Sequence, residues 1–70
     1  MLSCERLLSF EAAHPRHTGD KEELVRMHLG VPPARYYQLL HRAAASMEGQ
    51  AFDPVTAHRV TRLRRADGRP

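Results

Sequence analysis

Apolar positions along the chain recur at helical spacing in four stretches. Cys4, Leu7 and Leu8 share one face, with Phe10 flanking, as in a helix with a single buried side. Ser3 is placed to cap that helix, and Glu5 falls in its first turn, where the helix dipole favours a negative charge. His14-Pro15 ends it, because a proline ring drives the preceding residue out of helical conformation. A second helix is expected from Asp20 as cap, with Glu23 completing a capping box. Leu24, Val25, His28 and Leu29 form its expected inner face, and Gly30 stops it by accepting the left-handed conformation.

Val31-Pro32-Pro33 predicts a tight turn, with Pro33 opening a third helix. This helix has the best periodicity in the chain. Tyr36, Leu39, Leu40, Ala43 and Met47 fall at i, i+3, i+4, i+7 and i+11, and Gly49 is the expected stop. Its other side presents Ala34, Arg35, Tyr37, Gln38, His41 and Arg42. Asp53-Pro54 starts a fourth helix, with a capping residue followed by proline at the first helical position. Val55, Val60 and Leu63 make its apolar stripe, while Arg59, Arg62 and Arg65 line up every three residues. No strand pattern and no internal repeat is present. The expected fold is all-α: a small four-helix domain with helices at 4–13, 21–29, 33–47 and 54–66. Residues 1–66 form one domain in this reading, and 67–70 a frayed tail.

Length limits what such a chain can do. Its 70 residues suffice for one domain with a small core, not for a large enzyme pocket. No Ser-His-Asp set, glycine-rich phosphate loop or paired carboxylate site stands out, so neither catalytic residues nor a cofactor are expected. Cys4 is the single cysteine, which excludes an internal disulfide, and on an apolar helix face it is expected to be inert. His14 and His17 sit three apart with Cys4 as a candidate neighbour, but a zinc site wants four ligands and no second pair exists, so no metal is expected. Apolar runs are far shorter than a membrane span, and the N-terminus lacks the apolar stretch of a signal peptide. The expected location is the cytoplasm.

Charge changes the picture more. Through Val31 the chain carries four basic and five acidic residues; from Pro32 onward it carries seven arginines against three acidic residues. All of the net positive charge therefore lies in the second half, and all of it is arginine, which pairs with phosphate in a bidentate way that lysine cannot. Such asymmetry fits nucleic acid, an acidic protein surface or an anionic membrane.

The middle pair of helices separates these. A short helix, a turn containing Gly30 and a longer helix read as a helix-turn-helix. Val25, Leu29, Val31, Tyr36 and Leu39 occupy the apolar positions that lock the two helices and leave the second protruding, ready for the major groove. Arg26 departs from the pattern, standing where a small residue suits the helix crossing. Gln38 is suited to a bidentate contact with adenine, and Arg35 to guanine or phosphate. Tyr37, His41 and Arg42 are candidate backbone contacts on the same helix, and Arg59, Arg62 and Arg65 candidate phosphate clamps on the last.

Phe10-Glu11, Lys21-Glu22, Leu29-Gly30, Arg35-Tyr36-Tyr37-Gln38-Leu39-Leu40 and Asp53-Pro54 before an arginine-rich end carry a resemblance. The chain resembles an actinobacterial and actinophage domain-of-unknown-function family of short helix-turn-helix proteins, with Arg-Tyr-Tyr-Gln as the signature of the recognition helix. It departs at Ala12-Ala13, where the family carries bulky aromatics. The resemblance implies a helix-turn-helix fold and DNA binding, but no target. The expected function is a small transcriptional regulator that inserts the 33–46 helix into the major groove of double-stranded DNA. A homodimer or protein partner is expected to supply further specificity; no membrane or small-molecule substrate is expected. The alternative is a non-enzymatic protein-interaction module, of host or phage origin, binding a host protein through an apolar or basic helix face.

Overall fold

The computed structural model describes residues 2–16 and 18–67, with side chains through Arg62. Helix α1 spans Cys4–Ala13, α2 Gly19–Leu24, α3 Pro33–Ala45, α4 Met47–Phe52 and α5 Pro54–Asp67; a π-helical turn, Val25–Leu29, extends α2. Among the described residues there is no strand, so the chain is a small all-α domain with five helices rather than the expected four. Of the tail expected at 67–70, Asp67 is the last residue of α5, and residues 68–70 lie outside the described residues.

Local chemistry accounts for most boundaries. Ser3 caps α1, its hydroxyl accepting from the Arg6 N–H at 3.1 Å. Asp53 caps α5 in the same way, accepting from the Thr56 N–H at 3.1 Å. Those hydrogen bonds, from the Thr56 backbone first and its side chain second, hold the Asp53 carboxyl below its ordinary pKa. The α2 boundary differs from expectation. Thr18, not Asp20, is the cap, accepting from Lys21 N–H at 3.2 Å, so the helix starts two residues earlier, at Gly19. Gly30 closes the π turn in the left-handed region at φ 72°, with its N–H shared between the Val25 and Arg26 carbonyls. Arg6 of α1 adds a donor there, from Nη2 to the His28 carbonyl at 3.0 Å.

The third helix is shorter than its periodicity suggests. It ends at Ala45, and Ser46 leaves the helix with extended backbone at φ −80°, ψ 156°. The Ser46 hydroxyl donates back to the Ala43 carbonyl at 2.7 Å and accepts from the Gly49 N–H at 3.0 Å, capping the new helix α4. Gly49 therefore sits inside α4 instead of terminating α3. It is buried, and a Cβ there would collide with the Ala43 carbonyl oxygen and touch Leu8 Cδ1 at 3.2 Å.

The core gathers Leu7 and Leu8 from α1, Val25, Tyr36, Leu40, Ala43 and Ala44 of α3, and Ala57 and Val60 of α5. Helix α3 lies at its centre, packed on α1 and α5. Three of the residues expected to face inward are exposed instead. Met47, expected on the α3 stripe, is 88% exposed because the chain has turned away at Ser46. Val55 is 73% exposed, and Thr56 and Ala57 take the inner face of α5 in its place. His28 is exposed as well, with only its carbonyl engaged.

Candidate nucleic-acid interface

The five residues expected to lock the helices on either side of Gly30 pack as their spacing requires. Val25 and Tyr36 belong to the core, and Leu29, Val31 and Leu39 pack against it half-buried. Arg26, standing where a small residue was expected, points to solvent and pairs with Glu23 at 3.6 Å, both side chains being largely exposed. It therefore does not obstruct the crossing.

Beneath α3 lies a buried polar network. Glu11 of α1, Lys21 of α2 and Tyr36 of α3 meet there, with Glu11 and Lys21 only 1% and 2% exposed. Lys21 Nζ donates to Glu11 Oε1 at 2.6 Å, and the Tyr36 hydroxyl donates to the same oxygen at 2.7 Å. Among the described residues every buried side-chain nitrogen and oxygen has a hydrogen-bond partner, which is the condition under which burying a charge is tolerable. Burial first, and the bond to Glu11 second, push the Tyr36 hydroxyl far above its ordinary pKa. Lys21 Nζ also lies 5.8 Å and 5.6 Å from the ring centroids of Tyr36 and Tyr37, within cation–π range. The network ties α1 and α2 to α3 at fixed positions.

Tyr36 was expected in the core and is there; Glu11 and Lys21 carry part of the family resemblance but were not expected to be buried. A signal existed for both. Glu11 follows Leu7 and Leu8 by one turn, and Lys21 precedes Leu24 and Val25 by one turn, so each lies on its helix's inner face.

Above α3 the surface is polar. Arg35, Gln38, His41 and Arg42, with Ala45 and with Thr61 of α5, line an open groove of about 590 Å³. Arg35, Gln38 and Arg42 are exposed and His41 is half-buried. Arg35 Nη1 lies 3.4 Å from Gln38 Oε1, so the two polar ends stand side by side one turn apart. None of the described residues lining the groove is acidic.

The remaining candidates are elsewhere. Tyr37 is half-buried with its ring 4.9 Å from that of Tyr36; burial, then the charges of Glu11 and Glu22, raises its pKa. It borders the groove's helix without lining the groove. Arg59 is half-buried and Arg62 exposed on α5, and neither lines the groove. At about 100° per residue they lie roughly 200° and 100° around α5 from Thr61. The Arg65 side chain is outside the described residues.

Cys4 is engaged in structure, with Sγ 3.3 Å from Ser46 Oγ and donating to the Ala43 carbonyl at 3.7 Å. Among the described residues no three His, Cys, Asp or Glu side chains cluster as a metal site; His17 lies outside those residues. No helix among them is long and apolar enough to cross a membrane.

A family model described as Protein of unknown function (DUF3263) matches residues 3–69. No curated protein and no solved structure matches the chain.

Proposed function

The chain belongs to the family described as Protein of unknown function (DUF3263), so its role must come from its own geometry, and we propose that it binds double-stranded DNA through α3. The observation that carries this reading is the groove over α3, where Arg35, Gln38 and Arg42 are exposed together and no acidic residue lines the surface. An exposed helix following a glycine turn is the element that enters a major groove. Arg35 reads guanine and Gln38 adenine by bidentate contacts to base edges. Arg42 and His41, one turn further on, hold the phosphates that position the helix, and Tyr37 borders the same backbone. Arg59, Arg62 and Arg65 contact phosphates beyond the groove, since the first two lie around α5 from its Thr61 edge.

Within the family we place the chain among the short helix-turn-helix proteins of actinobacteria and their phages, acting in the cytoplasm as a small transcriptional regulator. A single module this size covers only about 600–1,000 Å² on DNA. A second copy or a protein partner then supplies the rest of the specificity. In the second reading, a protein-interaction module, the exposed side chains of Met27, Met47 and Val55 would serve as apolar contacts.

Site selection from a randomised duplex library tests the first reading. The wild-type chain should enrich one short motif, and the double variant Arg35→Ala/Gln38→Ala should still bind but enrich none. A motif unchanged in the double variant would remove α3 as the reader.

A further inference from the structure

A second hollow, of about 300 Å³, opens between α1 and the end of the π turn, lined by Arg6, Ser9, Phe10, Ala13, His14 and His28. It shares no residue with the groove over α3. Its volume falls at the small end of ligand sites, and none of the described residues lining it is acidic. Arg6 is not a loose surface arginine: its Nη2 is tied to the His28 carbonyl at 3.0 Å. That bond fixes the plane of the guanidinium and leaves the rest of its fork to meet an anion in bidentate fashion. Each imidazole, of His14 and of His28, keeps at least one N–H donor in any protonation state, and Ser9 adds a hydroxyl.

One wall is aromatic and held in place. The Phe10 ring packs against His14 at 4.6 Å and edge-on to Tyr36 at 5.6 Å. Ala13 fills little space beside it. A carboxylate has two oxygens and would satisfy the arginine alone. A phosphoryl group ending in three oxygens offers one acceptor to each kind of donor that lines the hollow, an arginine, a histidine and a serine, beside the Phe10 ring.

We infer that this hollow is a binding site for a small phosphomonoester, held by Arg6, Ser9 and the two histidines with its organic part against Phe10. The ligand is bound, not transformed. The ring contacts His14–Phe10–Tyr36 hold this wall against the central helix.

Amide and imidazole NMR signals of the full chain, followed during titration at constant ionic strength, test this. The probes are inorganic phosphate, adenosine 5′-monophosphate, chloride and a short DNA duplex. The expected result is saturable shifts at Arg6, Ser9, Phe10, His14 and His28 with the first two probes, tighter for the nucleotide, and none with chloride. Arg6→Ala should weaken binding by about tenfold or more, the scale of one lost charge-assisted pair. Ser9→Ala and His28→Ala, both at exposed positions, should weaken it several-fold with an unchanged helical circular dichroism spectrum. Shifts that never saturate, that fall on Arg35 and Arg42 instead, or that appear at the hollow only with the duplex would each overturn the proposal. In the last case the hollow is a contact for the DNA backbone.

Discussion

Glu11 gives one oxygen to two donors, the Lys21 ammonium at 2.6 Å and the Tyr36 hydroxyl at 2.7 Å. Removing one member of a buried pair strands the other, at a cost of about 3–5 kcal/mol. Total stability for a chain of this length is about 3.5–10 kcal/mol, so Glu11→Gln should leave the domain marginal or unfolded at room temperature. Urea melts check this, and the double variant Glu11→Leu/Lys21→Met should lose less than the single one, because no charge is left stranded. Tyr36 makes a pH prediction. Its hydroxyl is neutral in the fold and its pKa raised above the ordinary value. The stability it contributes is therefore fully present below about pH 10 and lost as pH rises through the folded pKa. Tyr36→Phe should cost about 1.5–3 kcal/mol at neutral pH, as for a hydrogen bond to a charged group. The variant's urea midpoint should also fall less steeply than the wild type's above about pH 10. Equal slopes would show that the hydroxyl does not carry the alkaline loss. Backbone-level residues such as Ser3, Gly30, Pro33 and Asp53 were readable because their roles depend on neighbours a few positions away. For Glu11 and Lys21 the spacing gave only the inward face; their burial as charged groups was not readable, since the partners that permit it come from other helices.

At the scale of elements, the break between α3 and α4 decides what α3 presents. Continued past Ala45, the third helix would have placed Met47 on its apolar stripe; instead Met47 is 88% exposed. Serine is itself a favoured cap residue, but the apolar spacing that runs on through Met47 hides the break. It is made by the Ser46 hydroxyl bonding both ways and by the close approach of Gly49 to Ala43. Gly49→Ala should destabilise by about 1–3 kcal/mol, as overpacking does, although alanine is the better helix former. A thermal melt showing a gain instead would mean that the contact relaxes freely. Periodicity misleads at Val55 as well: the Asp53-Pro54 start was legible, but the face of α5 that turns inward is set by tertiary packing, which buries Thr56, Ala57 and Val60.

For the whole molecule, the charge asymmetry legible in the sequence acquires a place. Acidic Asp20, Glu22 and Glu23 lie exposed on α2, while Arg35 and Arg42 stand exposed on α3 and Arg62 on α5. The all-α architecture and the turn at Gly30 were readable from periodicity and the glycine itself. The relative placement of Arg59 and Arg62 was not, because a three-residue repeat sets their common face without saying what that face meets. The most direct test of DNA binding through α3 is a salt titration of affinity for a mixed-sequence duplex, read by fluorescence anisotropy. With four to six phosphate contacts, log affinity should fall against log salt with a slope of about −3.6 to −5.4, and Arg42→Ala should make it shallower by about 0.9. No binding at low salt, or a slope that Arg42→Ala leaves unchanged, would contradict the assignment of α3 as the element that meets DNA.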